Sequence, residues 1–194
     1  MWLNNIALSS KAQDRLKGRR ILGQYKSIEI ARKKRLLQEQ ILSIEASMLL
    51  SKITITPELS KLLCSLLFWC EGAKVTTQVK FTNSDPTLMR LFLDLLRLGF
   101  KIDESKLRIL MHLHEYHIES KQKQFWKDIT RIPYNQFHRT YLKPHTGKQI
   151  RPNYPGCVSV TYYDAKVAKE LTTIYNTFTQ RGVVQWQDPS LQKM

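Results

Sequence analysis

The chain has 194 residues, 42% of them hydrophobic, which is enough for one packed domain with an appendage. Its 31 Lys and Arg residues outnumber its 16 Asp and Glu residues, giving a formal net charge of +15. This excess argues against an enzyme for a small neutral substrate and favours a polyanionic partner, because basic groups release condensed counterions from phosphates. Proteins bound to DNA, to ribosomes or to membrane surfaces share such a charge, so charge alone does not choose among them.

The sequence also bears on location. Residues 1–10 contain neither the charged start nor the long apolar run of a secretory signal. No segment approaches about 20 apolar residues, so we expect no membrane span and no membrane partner. Cys64, Cys70 and Cys157 form no CxxC pair, and we expect reduced thiols instead of disulfides or zinc ligands. These features together indicate a cytoplasmic protein.

Residues 1–55 are expected to form a basic helical arm or linker. Apolar residues recur in it at heptad spacing, with Ile30, Leu37 and Ile44 seven apart and with Ile41 and Met48 four positions after the latter two. This seam covers about two heptads and is interrupted by Lys34. Two interpretations stay open: an amphipathic helix packed on its own domain, or an arm through which the chain dimerises.

Residues 56–182 are predicted to form one domain, followed by a loosely ordered tail at 183–194. Its first helix begins at Thr56 and Pro57, which have the order of an N-cap and a first-turn proline. In chain order, the predicted elements are a helix ending near Gly72, a strand over 76–82, a helix from Asp85-Pro86 to Gly99, a strand over 107–114, a helix ending before Pro133, strands over 137–142 and 157–163, and a helix after Asp164.

The strand over 107–114 predicts a sheet with two different faces. Its alternation places these apolar residues towards the core: Leu107, Ile109, Met111 and Leu113. Arg108, His112 and His114 then point the other way. Strands that are polar on one side need helices on the other side only, so we predict an α+β fold, with helices on one face of a mostly antiparallel sheet and the other face open to a ligand.

The stretch from Ile129 to Tyr163 contains no Asp or Glu. Its basic residues, Arg131, Arg139, Lys143, Lys148 and Arg151, are interleaved with Tyr134, Phe137, Tyr141 and Tyr154. Cations that contact phosphates, together with aromatic rings that stack on bases, are typical of nucleic-acid-binding proteins. A long loop at 143–155 lies inside this stretch, and its length favours a binding role.

The candidate nucleic-acid-binding residues lie on the predicted open face and in this stretch. They are Lys74, Gln78, Lys80, Asn83, Arg108, His112, His114, Arg139, Tyr141, Lys143, Lys148 and Arg151. The pair His112 and His114 has two further interpretations, as metal ligands on one strand face or as an ordinary polar strand surface.

The segment Ser65–Gly72, SLLFWCEG, resembles a variant of the LAGLIDADG motif that ends in Glu-Gly. The segment that follows, VKFTNSD at 79–85, and the helix after it resemble the next elements of that fold. Later segments, HLHE at 112–115, FW at 125–126 and YLK at 141–143, resemble bacterial homing-endonuclease-like proteins. The resemblance covers residues 56–180 and implies a LAGLIDADG homing-endonuclease-like core.

In that family the acid at the end of the motif helix binds a divalent metal, so the resemblance implies Glu71 as catalytic residue and metal ligand, with Mg²⁺ as cofactor. One motif supplies one acid, so cleavage implies a homodimer. Leu66 stands where glycine is common, and Trp69 and Cys70 are unusual for the motif. Regulators of the WhiA type use this fold to bind DNA without cutting it. Three functions stay open: a nucleoid-associated duplex-DNA-binding protein, a Mg²⁺-dependent DNA endonuclease, and an RNA-binding module.

Overall fold

The computed structural model describes residues 7–144 and 153–181. The chain divides into two compact units, Met1–Thr54 and Ile55–Met194. The elements are α1 (Ser10–Leu50), α2 (Pro57–Glu71), β1 (Gly72–Ala73), β2 (Val79–Asn83), α3 (Pro86–Gly99), β3 (Leu107–His114), α4 (Glu119–Thr130), β4 (Tyr141–Lys143), β5 (Cys157–Tyr162) and α5 (Ala165–Arg181), with 3-10 turns at Glu104–Lys106 and Tyr134–Gln136.

Within the described residues, the first unit contains one long helix, α1, in the region for which a basic helical arm is predicted. Ser9 caps its start, because the Ser9 side chain accepts a hydrogen bond from the Ala12 backbone N–H at 3.4 Å. None of the residues of α1 is buried. Across the described ranges, no helix combines the length and the apolar character that a membrane crossing requires.

The second unit begins with α2, whose predicted start is confirmed. The Thr56 hydroxyl accepts from the Leu59 backbone N–H at 3.2 Å, and Pro57 occupies the first turn, where no backbone N–H is needed. One side of α2 is buried, and α2 packs against both α3 and α5. Lys61 ties it to α5 through an ion pair with Glu170, with 2.5 Å between nitrogen and oxygen.

The second unit contains a five-stranded sheet in the order β1-β2-β5-β3-β4. The β1–β2, β2–β5 and β5–β3 pairs are antiparallel, and β3 and β4 run parallel. The molecule is therefore α+β with a mixed sheet. The central strand β5 is followed directly by α5, and the Asp164 carboxylate caps that helix by accepting from the Lys166 and Val167 backbone N–H groups.

The hydrophobic core lies between one face of this sheet and the helices. The predicted core side of β3 is confirmed, because its four residues are at most 1% exposed. Phe81 of β2 stacks on Phe92 of α3 with ring centroids 4.0 Å apart. The core residues of the sheet are Val79, Phe81, Leu107, Ile109, Met111, Leu113, Val158, Val160 and Tyr162.

Gly156 marks the entry into β5. Its φ is +81°, a backbone conformation that L side chains rarely adopt. A Cβ atom there would also lie 2.4 Å from the Leu113 side chain in the core. Both conditions require glycine at the point where the chain returns to the sheet after β4.

Two predicted strands differ from the structure. Thr76 and Thr77 lie in a bend, and the strand there covers Val79–Asn83. The predicted strand over 137–142 is interrupted: Phe137 forms an isolated parallel bridge with Ile109, residues 138–140 lie outside any strand, and the strand itself is Tyr141–Lys143. Just before this segment, the buried Gln136 amide donates to the Glu104 and Leu107 carbonyls at 2.6 and 2.7 Å. The predicted tail, and 145–152 of the predicted loop, lie outside the described residues.

We predict that Gly72→Ala destabilises the second unit by about 1–3 kcal/mol, the usual cost of overpacking. A Cβ atom at this position would lie 2.2 Å from the Phe68 ring and 2.5 Å from the Phe68 carbonyl oxygen, and Phe68 is buried in the core. Urea unfolding followed by the fluorescence of Trp69 and Trp126 measures the change. Gly18→Ala is the matched control, because nothing lies within 4 Å of its added methyl group. An unchanged midpoint for Gly72→Ala would contradict the prediction.

Candidate nucleic-acid interface

The sheet surface on the side away from the core is called the open face. The strand register aligns its residues in rows: Lys80, Thr161 and Arg108; Thr82, Ser159 and Leu110; Cys157, His112 and Tyr141; His114 and Lys143. None of these side chains belongs to the hydrophobic core cluster. The predicted orientation of Arg108, His112 and His114 is therefore confirmed.

The open face is rich in cations. The five strands contain no Asp or Glu, while Lys80 and Arg108 lie on either side of β5 and Lys143 lies on β4. Within the described ranges, Lys80, Arg108 and Lys143 form no ion pair with a carboxylate. Their positive charge is therefore not neutralised by acidic partners in this part of the chain.

Arg108 is held in place by the backbone at one end of the sheet. Its Nη1 donates to the Ser105 carbonyl at 2.6 Å and to the Leu107 carbonyl at 2.7 Å. Both bonds engage the same guanidinium nitrogen. They fix the direction of the planar group, and a guanidinium with a fixed direction loses less entropy when it pairs with a phosphate.

A polar network crosses the middle of the open face. The Thr82 and Ser159 hydroxyl oxygens are 2.7 Å apart, and the Ser159 hydroxyl oxygen is 3.2 Å from Nε2 of His112. Ser159 is 1% exposed, so it supports His112 from below. Nδ1 of His112 is buried and has no hydrogen-bond partner within the described ranges. Tyr141 completes the cluster, with its ring 5.6 Å from the imidazole.

Burial lowers the pKa of His112, and the positive charges of Lys143 and Lys80 lower it further. The imidazole is therefore held in its neutral form, in which one ring nitrogen donates and the other accepts. A neutral imidazole among lysines leaves the charge of the face to Lys80, Arg108 and Lys143, and His112 adds hydrogen-bonding capacity.

The histidines at the end of β3 are used structurally. The His114 backbone N–H donates to Nδ1 of His117 at 3.0 Å, and Nε2 of His117 lies 3.0 Å from the Tyr154 carbonyl oxygen, to which it donates. Nδ1 of His114 is 3.1 Å from the Lys143 carbonyl oxygen. Both nitrogens of His117 are thus engaged. Over the residues that the structure describes, no group of three or more His, Cys, Asp or Glu is placed to hold a metal ion.

A groove continues the open face beyond β4. Leu110 and Tyr141 belong to both surfaces, and Arg139 lines the groove together with Glu119. The Glu119 carboxylate accepts from the Thr140 hydroxyl at 2.6 Å and pairs with Lys123 at 2.9 Å, and these two contacts lower its pKa. Arg139 is exposed and extends the cationic surface past the edge of the sheet.

Other predicted contact residues lie elsewhere. Asn83 is in register with Val158 and Met111 on the core side, and its side chain accepts from the Asp85 backbone N–H at 2.8 Å, which is a turn-forming role. Lys74 follows β1 and donates to the Trp69 carbonyl at 3.0 Å. Gln78 is half-buried just before β2. Lys148 and Arg151 lie outside the described residues.

Glu71 is the last residue of α2, and its side chain is exposed beside β1 at the sheet edge. Among the residues that the structure describes, Glu71 belongs to no group of three or more His, Cys, Asp or Glu placed to hold a metal ion. Next to it, Trp69 stacks on Tyr175 of α5 with ring centroids 5.6 Å apart. The unusual tryptophan of the motif therefore packs on a helix of the same chain.

Sequence reasoning missed the supporting residues of the open face. Ser159 and Thr161 were not among the candidates, although the alternation of Cys157–Tyr162 places them on the side opposite Val158 and Val160. Both are hydroxyl residues on the central strand, and they are 1% and 9% exposed. This alternation was the signal that would have found them.

Comparisons with family models, with curated proteins and with solved structures find no match for this chain. The resemblance to LAGLIDADG proteins therefore rests on the motif segments alone. The charges and contacts of the open face are the observations from which a function can be inferred.

We predict that the pKa of His112, followed by NMR, lies below its ordinary value of 6.5. Lys143→Ala removes one of the positive charges that lower the pKa, so the midpoint should rise, whereas Lys169→Ala on α5 should leave it unchanged. Since the folded-state pKa lies below the unfolded one, the folded protein binds fewer protons. The stability of the second unit should then fall as the pH falls from about 6.5 through the lowered pKa. A midpoint at or above the ordinary value would overturn this assignment.

Proposed function

We propose that this protein binds duplex DNA through the open face. One observation carries the proposal: five strands without a single acid present Lys80, Arg108 and Lys143, with two histidines, on the side of the sheet away from the helices. Phosphates would replace the carboxylate partners that these cations lack within the described ranges, and counterion release would drive binding.

The residues of the open face would have different roles in binding. Lys80, Arg108 and Lys143 contact phosphates, and Arg139 extends the contact past β4. Lys148 and Arg151, between β4 and β5 in the sequence, add further phosphate contacts. His112 and Tyr141 lie between these cations and are the groups available for base edges, since a neutral imidazole and a phenol both donate and accept hydrogen bonds.

The shape of the surface favours DNA over double-stranded RNA. An eight-residue strand such as β3 is about 27 Å long, and neighbouring strands are about 4.8 Å apart. The major groove of B-DNA, about 12 Å wide, admits two neighbouring strands, so part of the open face could enter it, whereas the major groove of A-form RNA is deep and narrow. Exposed Tyr141 is the feature that a single-stranded RNA would use for stacking, so direct competition separates the two ligands.

We also propose that the second unit has the LAGLIDADG homing-endonuclease-like core that its motif resembles. Support comes from the order of elements, since α2 leads directly into strands and is followed by α3 packed against it. Duplex binding by this core would place the protein with the nucleoid.

We predict that the affinity for duplex DNA falls steeply with salt. The slope of log K against log salt changes by about 0.9 for each phosphate contact, so Lys80→Ala, Arg108→Ala and Lys143→Ala should each reduce it by about 1. Lys169→Ala is the matched control, because it removes the same charge from α5 in the helix layer. Fluorescence anisotropy with a labelled duplex measures the slopes, and structured RNA at equal salt serves as competitor. A slope near zero, an equal loss in Lys169→Ala, or stronger competition by RNA would contradict the proposal.

Magnesium-dependent DNA cleavage is the second candidate function. It is favoured by the exposed Glu71 carboxylate at the end of the motif-like helix, next to the sheet edge. Because one motif-like helix supplies one acid at its end, this function would bring together Glu71 from two chains.

For this second candidate we predict cleavage of a plasmid library in the presence of Mg²⁺ that is lost in Glu71→Gln. The variant removes the charge and keeps the shape, so its duplex affinity should match that of the wild type. Agarose electrophoresis detects nicked or linear products. Absence of products with the wild-type protein, or equal cutting by Glu71→Gln, would remove the endonuclease from consideration and leave the binding proposal in place.

A further inference from the structure

Helix α1 has two halves of different chemistry. Residues 11–35 carry ten Lys or Arg and two acids. Residues 36–50 carry no Lys or Arg, two acids, and most of the large apolar side chains of the helix. The change occurs after Arg35, within one continuous helix.

The apolar side chains of α1 are widely exposed. Every Leu, Ile, Met and Tyr of the helix has between 48% and 69% of its surface accessible. A helix in this state gains nothing from burial of an apolar face, and burial is what stabilises most protein helices. The helix is also the only element described in its compact unit. These side chains therefore need a partner.

One set of these side chains forms a continuous seam. At 100° per residue, the seam residues fall within an arc of about 60° along the helix. They are Ile30, Leu37, Ile41, Ile44 and Met48. Alternating steps of three and four residues connect the last four, which is the spacing of knobs in a helix pair.

We propose that α1 pairs with α1 of a second copy of this chain through this seam, over its C-terminal half. The residues that flank the seam favour a second copy of the chain as the partner. None of them is a cation, so two copies would meet there without repulsion between positive charges. They are Gln38, Gln40, Glu45 and Ser47. Lys34 interrupts the seam at its N-terminal end, where the basic half begins. The pairing therefore ends where charge would oppose it.

Other occupants fit this surface less well. A membrane-surface helix carries Lys and Arg beside its apolar face, and 36–50 has neither. An acidic protein would be attracted to 11–35 instead of the apolar half. The pairing needs no nucleic acid, so it stands independently of the proposed function.

The test is sedimentation equilibrium of the full chain, freed of nucleic acid. We expect the wild type to form dimers as the chain concentration rises to about 100 μM, the range in which a weak complex becomes populated. Ile44→Lys inserts a charge into the seam of both chains and should weaken the dimer about 100-fold. Ser43→Lys adds the same charge one residue away, off the seam, and should sediment as the wild type does.

Tryptophan fluorescence and urea unfolding check that the second unit folds alike in all variants. Ile41→Lys provides a second disruption of the seam with the same expected result. A wild type that is monomeric throughout, or equal behaviour of Ile44→Lys and Ser43→Lys, would overturn the proposal. Absence of duplex binding would not contradict the pairing of α1, and absence of the pairing would not contradict DNA binding by a single chain. The two tests are therefore separate.

Discussion

The antiparallel pairing of β3 with β5 is the contact on which the rest of the second unit depends. It runs from Leu107 opposite Tyr162 to His112 opposite Cys157. A slip of one residue would turn the apolar side of β3 outwards and bury Arg108 and His112 among the helices. Charged and polar groups cannot enter a core without partners, so the alternation of the sequence enforces this register. The same register that buries Ile109 and Met111 collects the cations on the opposite face.

The helix layer covers the apolar face of the sheet and leaves the cationic face on the other side. Phe68, in the last turn of α2, fills the space beside Gly72, and Trp69 stacks on Tyr175 of α5. These contacts fix the end of α2, where the chain continues into β1. Gly99 at the end of α3 allows a second close approach, because a Cβ atom there would lie 2.9 Å from the Lys61 backbone nitrogen. Helix α2 packs against α3 and α5, and all three helices contact β2.

Much of this arrangement could be read from the sequence because it depends on local chemistry. The caps at Thr56, Asp85 and Asp164 give the starts of three helices, and strict alternation gives the whole of β3 with both of its faces. The failures have tertiary causes. Phe137 bridges Ile109 and the Gln136 amide binds carbonyls that are distant in sequence, and no pattern in 134–142 reveals these contacts. For Asn83 the sequence allows either a phosphate contact or a loop-forming role, and its turn hydrogen bond and its register on the core side agree with the second. The network of Ser159 with His112 joins two strands 47 residues apart, so spacing alone does not disclose it.

Gly156 determines where the chain re-enters the sheet. The chain leaves the sheet after β4 and enters β5 through Gly156, which has a positive φ and lies close to the Leu113 side chain. The two residues before Gly156 are held through their backbone, because the Tyr154 carbonyl accepts from Nε2 of His117 and the Pro155 carbonyl accepts from Nε1 of Trp126, each at 3.0 Å. The entry into β5 thus depends on one glycine and two main-chain oxygens, which exchange of the neighbouring side chains would leave in place.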